Sequence, residues 1–327
     1  MRRIAVINQK GGVGKTTTAA NLGAALAEQG RRVVLVDLDA QGNLTTHLGL
    51  EAPCGEPSIY TVLIGESSFA DALRETSTKG LSLVPSNIDL SGAELELASA
   101  LGRETLLREA IDTWRGEGDA PADYVIFDCP PSLGLLSING LTAAREVELV
   151  VQTEYLALQG MSKLVDVVQL LRKRMNPDLA ITGIIPCLYD ARLRLAREVL
   201  AEVRRYFPGE VFKTAIRANV KLAEAPSFGE HILQYAPSSN GAVDYRKLAL
   251  EVISQEALDA GLAHLPPAKS PDLLKKEARS RATAEPVVEL QPNPSDEAEG
   301  APSGGALRAE DLPPLPAEAF GTAAEAE

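Results

Sequence analysis

Hydrophobic residues fall into short unbroken runs that alternate with segments of helical period. Ile4 to Asn8, Arg32 to Asp37, Leu81 to Val84, Asp123 to Asp128, Glu148 to Thr153 and Ala180 to Leu188 read as strands. The runs at Arg32 and Asp123 are continuously apolar, as expected of a sheet covered on both faces. Thr16 to Gln29 carries Ala20, Leu22, Ala24, Ala25 and Leu26 on an apolar side and is stopped by Gly30, which predicts a helix. Further helices are predicted at Ile59 to Ile64, Leu90 to Leu101, Glu104 to Trp114, from Gly160 to about Met175, at Leu193 to Tyr206 and at Gly241 to Leu265. Val211 to Ile216 predicts a short strand, and Gly116 to Ala122 and Arg217 to Gly229 predict loops. Strand and helix alternate with no internal repeat, so the expected fold is α/β: a doubly wound, mostly parallel sheet flanked by helices.

From Pro266 onward Pro, Ala, Glu, Ser and Gly dominate and the helical and strand periods stop. Such a segment cannot bury enough apolar surface to order itself. The expected organisation is one domain over residues 1–265 and a disordered tail over 266–327. The tail holds six basic and twelve acidic residues, so it contributes −6 of the net −13 and leaves −7 on the domain.

The 327 residues are 45% hydrophobic, enough for one large core. No apolar run approaches the roughly 20 residues of a membrane-spanning helix. Met1-Arg2-Arg3 leads straight into the first strand without the apolar region of a signal peptide, so a cytoplasmic location is expected. From the same early start no N-terminal helix-turn-helix extension is expected. Cys54, Cys129 and Cys187 are few, odd in number and far apart, which argues against a disulfide framework or a zinc site. An isoelectric point near 4.9 does not exclude nucleic-acid binding, because charge distribution and not its sum makes a binding face. From Asp190 to Lys221 the chain has eight basic residues against four acids. That segment reads either as a phosphate-contacting surface or as a solvated helix face with internal salt bridges.

Between the first strand and first helix lies Lys10-Gly11-Gly12-Val13-Gly14-Lys15-Thr16-Thr17. Gly14, Lys15 and Thr16 complete the second half of a phosphate-binding loop, while its usual first glycine is replaced by Gln9. Glycines at 11, 12 and 14 let successive backbone N–H groups turn toward one anion at the start of the helix. Lys15 then supplies a charge at the β- and γ-phosphates of a nucleotide, and the Thr16 hydroxyl a ligand to Mg²⁺. Lys10 sits five residues before Lys15, too far for both to reach the same phosphates from one chain. It is either a solvated charge or a group that acts on a nucleotide in a partner subunit. Asp37 and Asp39 close the second strand, where ligands bind in open α/β sheets. Asp128 closes another apolar strand in the Walker B manner, and Pro130 and Pro131 stiffen the loop beyond it.

Together with Phe127-Asp128-Cys129-Pro130-Pro131-Ser132, Glu154-Tyr155-Leu156-Ala157-Leu158-Gln159-Gly160, Tyr189-Asp190-Ala191-Arg192 and Ala223-Glu224-Ala225-Pro226-Ser227-Phe228-Gly229, these motifs resemble the ParA/Soj-type chromosome-partitioning ATPases. The resemblance spans about residues 2 to 260; the loop alone identifies only the wider deviant Walker A class of P-loop NTPases. It implies an ATP- and Mg²⁺-dependent hydrolase acting as a timer. Two copies sandwich two ATP molecules, with Lys10 reaching the partner's nucleotide and Asp39 activating the attacking water. Lys15 and Thr16 keep their phosphate-loop roles, Asp37 and Asp128 support the metal, and Arg217 and Asn219 lie toward the adenine. Relatives often read Ile-Pro-Arg-Asn where this chain has Ile216-Arg217-Ala218-Asn219, so Arg217 falls one place early and is assigned to either adenine or DNA. The ATP-bound homodimer of this class binds double-stranded DNA without sequence preference, here through Arg192, Arg194, Arg217 and Lys221. It is discharged by a ParB-type centromere-binding protein, and this gives a cytoplasmic, nucleoid-associated location. The main alternative is a MinD-like membrane-cycling cell-division regulator. It predicts a basic amphipathic C-terminal helix, against which the acidic, proline-rich terminus argues.

Overall fold

The first strand alternates Ile4 and Val6 against Ala5 and Ile7, all at most 1% exposed, and each pair enters a different core. A strand apolar on both sides belongs in the middle of a covered sheet. The computed structural model describes residues 1–116, 122–154 and 157–256. Its strands are β1 (Arg2–Ile7), β2 (Val33–Asp37), β3 (Arg74–Glu75), β4 (Leu81–Val84), β5 (Tyr124–Asp128), β6 (Glu146–Gln152) and β7 (Ala180–Cys187). They form one sheet in the order β3-β4-β2-β5-β1-β6-β7, parallel except for the β3–β4 pair. The chain leaves β1 toward β2 on one side and later adds β6 and β7 on the other. The crevice at the carboxyl end of β1 is therefore the switch point where such sheets bind ligands.

Helices α1 (Lys15–Glu28), α2 (Asn43–His47), α9 (Val220–Glu224), α10 (Ile232–Tyr235) and α11 (Asn240–Glu256) cover the Ile4/Val6 face. The opposite face carries α3 (Ile59–Leu63), α4 (Leu90–Glu96), α5 (Leu106–Gly116), α6 (Leu135–Ala143), α7 (Ala157–Arg174) and α8 (Arg194–Tyr206). Gly23 lets α1 press onto β2, since a Cβ there would stand 2.8 Å from Leu35 Cδ2.

The expected doubly wound sheet is present, with several local differences. Val211 to Ile216 is not a sheet strand: it runs beside β7 through isolated bridges. The backbone N–H groups of Lys213 and Thr214 are drawn out of the ladder to the Glu251 carboxylate, at 2.8 and 2.9 Å. The helix α6 lacks an amphipathic stripe because it is buried nearly all round, so no helical period announces it. Short α2, α9 and α10 and the two-residue β3 fall below the length that sequence periodicity detects, so the stretch expected as a loop from Arg217 to Gly229 contains α9; the helix expected to reach Leu101 ends at Glu96. The strand expected from Glu148 begins at Glu146, whose carboxylate is clamped by Arg2. The expected tail 266–327, and the end of the last predicted helix from 257, lie outside the described residues.

The edge of the sheet away from the ligand crevice is held by buried Arg2. Its Nε donates to Glu146 Oε1 at 2.8 Å, and its Nη1 to the carbonyl of Val252 at 2.6 Å. Two residues along β6, Glu148 is fully buried on the sheet and neither of its oxygens has a partner. Burial and the nearby Glu146 charge push its pKa from 4.5 up to about 8, against the pull of Arg2. A raised folded-state pKa means that the group's contribution to stability is full below pH 4.5 and is lost as pH climbs toward about 8. Glu148→Gln removes this titration. Its stability advantage over the parent, read as a rising difference in melting temperature, is expected to widen between about pH 5 and pH 8, by up to a few kcal/mol at about 1.4 kcal/mol per pKa unit. Parallel melting curves across that range would show that Glu148 titrates normally.

Candidate functional site

The loop between β1 and α1 turns through Gly12 and Gly14, whose φ values are +74° and +97°. Gly14 heads α1, and no side chain caps the first amides of that helix. Unfilled amides at a helix start, with the positive end of its dipole, favour an anion. Lys15, 7% exposed, bends its ammonium back onto the Lys10 carbonyl at 3.2 Å. Burial lowers its pKa, and the carboxylates of Asp128 and Asp39 oppose that shift, together with Cys129.

Parallel register sets Asp37 of β2 directly opposite Asp128 of β5. The two differ in what holds them. Asp37 Oδ2 accepts from the Thr45 amide at 2.9 Å and its hydroxyl at 2.8 Å, and Oδ1 accepts from the Asp39 amide at 3.2 Å. Asp37 thus ties the Asp39 loop and α2 to the sheet; burial raises its pKa to about 6 against these bonds. Asp128 is 1% exposed and neither of its oxygens has a hydrogen-bond partner. Its pKa is raised well above the usual carboxylate range, first by burial and then by Asp37, although the Thr16 hydroxyl and Lys15 lie close enough to oppose the shift. Asp39 stands half-buried above them, its Oδ1 accepting from the Gln41 amide at 3.0 Å.

A buried carboxylate with two free oxygens beside a threonine hydroxyl fits one side of a Mg²⁺ shell. Among the described residues no group of three or more His, Cys, Asp or Glu side chains could hold a metal. Mg²⁺ keeps waters and needs only one or two protein oxygens beside those of a phosphate, so one carboxylate and one hydroxyl are enough for it.

A cleft of about 490 Å³ runs from Gly12, Val13, Gly14, Lys15, Thr16 and Thr17 to Leu188, Arg217, Asn219 and Leu222. Asn219 caps α9 by accepting from the Lys221 amide at 2.9 Å, so its Nδ2 is the donor it can offer the cleft. The guanidinium of Arg217 forks onto Asp244 of α11 at 2.9 and 2.7 Å. Lys10 and Gly11 do not line the cleft, and the Lys10 ammonium lies on Glu154 and Gln152 beyond β6. Of the residues expected at DNA, Arg192, Arg194 and Lys221 are, like Arg217, paired with carboxylates of the same chain. Arg192 meets Asp190 at 2.7 Å, Arg194 meets Glu198 at 2.6 Å, and Lys221 meets Glu224 at 2.7 Å. Arg192 and Arg194 remain 90% and 85% exposed, and exposed pairs of this kind contribute little and exchange partners readily.

Residues 1–181 match the protein family described as AAA domain. The chain is 47% identical over 249 residues to the sporulation initiation inhibitor protein Soj of Bacillus subtilis, covering 76% of this chain and 97% of that protein. It is 49% identical over 255 residues to the chromosome-partitioning ATPase Soj of Thermus thermophilus, covering 78% and 96%. The chain belongs to the ParA/Soj family of chromosome-partitioning ATPases. Among solved structures, a Mycobacterium smegmatis protein described as cobyrinic acid a,c-diamide synthase, with bound ATP analog and magnesium, superposes with a TM-score of 0.68. It is 41% identical, with 79% of this chain and 96% of that one covered. The septum site-determining protein MinD of Pyrococcus horikoshii, complexed with Mg-ADP, is 28% identical with a TM-score of 0.63, covering 80% and 99%.

Against this ParA/Soj background, several site residues carry no motif of their own. Thr45 fixes Asp37, and Tyr245 bonds Thr18 across the cleft floor at 3.2 Å. Leu188, at φ +52°, is the one non-glycine with positive φ among the described residues, and it lies in the cleft wall. Such strain persists where surrounding structure imposes it, and only coordinates disclose it.

Asp128 is destabilising as it stands, because burying a carboxylate without partners costs more free energy than burying an amide. Asp128→Asn is therefore expected to raise the melting temperature of nucleotide-free protein. It is also expected to erase the additional stabilisation that Mg²⁺ gives in the presence of ADP, read by thermal shift with and without EDTA. A variant that keeps the Mg²⁺ increment would remove Asp128 from the metal shell.

Proposed function

We propose that the chain is an ATP-hydrolysing DNA-segregation switch whose site is complete only between two copies. The observation that carries this reading is the position of Lys10: the loop that forms the cleft turns its own first lysine out of it. In this reading ATP enters the cleft with its phosphates on the amides of residues 12–17, and Lys15 leaves the Lys10 carbonyl for the β- and γ-phosphates. Thr16 and Asp128 would hold Mg²⁺, which would supply positive charge against the phosphate oxygens. Asp37 acts on this shell indirectly, by fixing the loop that carries Asp39. The half-buried Asp39 orients a water for in-line attack on the γ-phosphorus; the new P–O bond forms as the bond to the bridging oxygen breaks, releasing ADP and phosphate. The partner's Lys10 neutralises charge on the transferring group. Asn219 donates to the adenine, and Arg217 shapes the cleft wall through its anchor on Asp244.

In the ATP state the paired copies bind double-stranded DNA without sequence preference. Arg192, Arg194 and Lys221 exchange their carboxylates for phosphates, whereas Arg217 stays on Asp244. A ParB-type centromere-binding protein stimulates hydrolysis and releases the DNA. The ATPase domain spans residues 1–265 with the tail 266–327 appended, and the protein works in the cytoplasm on the nucleoid. Among the described residues no helix is long and apolar enough to cross a membrane.

Two experiments test this. Asp39→Ala is expected to abolish phosphate release while retaining an ATP-dependent dimer; light scattering that finds only monomer with ATP would refute the two-copy site. Duplex-DNA affinity, compared across apo, ADP and ATP states, is expected to appear with ATP and to fall steeply with rising salt as counterions are released. Arg192→Ala with Arg194→Ala reduces the salt slope by about two contacts per copy, about four for the paired copies. An affinity equal in all three states would make the protein a constitutive binder.

A further inference from the structure

Lys10 is not loose. Its Nζ donates to Glu154 Oε2 at 2.5 Å and to Gln152 Oε1 at 3.0 Å, with the lysine and glutamate side chains about half exposed, at 54% and 51%. The backbone beneath is fixed as well. Asn8 Nδ2 donates to the Val150 carbonyl at 2.6 Å, and Asn8 Oδ1 accepts from the Lys10 amide at 3.0 Å. The head of the loop is thus sewn to alternate residues, 150, 152 and 154, at the end of β6. Its Lys10 carbonyl meanwhile occupies the ammonium of Lys15.

We propose that Glu154, assisted by Gln152, is a positioning residue that holds Lys10 within its own protomer and so sets the threshold at which two ATP-loaded copies pair. The inference rests on the two-copy reading above. A phosphate that takes Lys15 away from the Lys10 carbonyl loosens one of the ties on the loop head. On the Lys10 side chain the charged tie is the exposed ion pair with Glu154, which is weak enough to open and strong enough to bias the equilibrium. Exposed pairs of this type shift equilibria by up to about fivefold. Two such latches open when one dimer forms, so the combined effect reaches up to about twenty-five-fold. The contact is electrostatic and accessible to solvent, so salt screens it.

The test is the dimer dissociation constant in the Asp39→Ala background with saturating ATP and Mg²⁺, measured by sedimentation velocity. Glu154→Gln is expected to tighten the dimer several-fold, by up to about twenty-five-fold, and Glu154→Asp to return it toward the parent value. The gap between Gln and Glu is expected to close at roughly 0.5 M salt, where the Debye length is a few ångströms. The melting temperature of the nucleotide-free protein falls by no more than one exposed ion pair contributes, and a tighter dimer in a slightly less stable protein is what a merely structural role of Glu154 would not produce. A dissociation constant that is unchanged or weakened in Glu154→Gln overturns the latch while leaving the two-copy reading in place, because weakening would mean that Glu154 serves the dimer. Absence of any ATP-dependent dimer in the Asp39→Ala parent overturns the reading itself, and the latch with it.

Discussion

Parallel register brings Asp37 opposite Asp128, and two carboxylates that close in a site poor in water repel each other while losing their hydration. The chain resolves this unequally. Asp37 is compensated by three donors from the Asp39 loop and α2, whereas Asp128 receives none. This uncompensated carboxyl lies beside the phosphate loop, where burial lowers the pKa of Lys15 against the pull of Asp128. Such a site disfavours a bare polyphosphate and favours one that arrives with a divalent cation. The same imbalance links local instability to function: the arrangement that would bind Mg²⁺ weakens the unliganded fold.

The two lysines of the loop have separate tasks because the backbone between them reverses. Gly12 and Gly14 take left-handed conformations, which turn the amides inward and send residues 10 and 15 in different directions. Lys15 enters the cleft; Lys10 leaves it for the end of β6. Rigidity for this arrangement comes from elsewhere. Arg2 clamps the far ends of β1, β6 and α11 in one buried network, so the carboxyl ends of the strands carry the chemistry without also having to hold the sheet together.

How much of this was legible beforehand follows from length and environment. Strands β1, β2 and β5 are continuous apolar runs that end in the loop or in a carboxylate, so their order and the position of Asp37, Asp39 and Asp128 are readable from residue type alone. Helix α6 was not, because burial on all sides erases the periodic stripe on which such reading depends. The segment Val211 to Ile216 has the composition of a strand, and only the long-range carboxylate of Glu251 diverts its amides. The ParA/Soj motifs suggested a role for Arg217 in adenine or DNA contact, but its fork onto Asp244 depends on α11, which follows more than twenty residues later in sequence. Pairings between distant residues, and backbone strain such as that at Leu188, leave no local trace in the chain.

Charge pairs on this protein fall into two kinds, and the difference organises the proposed switch. Arg217 meets an Asp244 carboxylate that is only 5% exposed, in a bidentate geometry that costs much to break. Arg192 with Asp190, Arg194 with Glu198 and Lys10 with Glu154 are exposed or half-exposed pairs that water and phosphate replace at little cost. The committed pair anchors the segment that carries Asn219 and walls the cleft, and this segment also joins α8 to α9 along β7. The exchangeable pairs lie to either side of it. In the proposed switch the element that walls the cleft is thus held by a pair with a buried carboxylate, while the pairs proposed to exchange for phosphate are exposed ones.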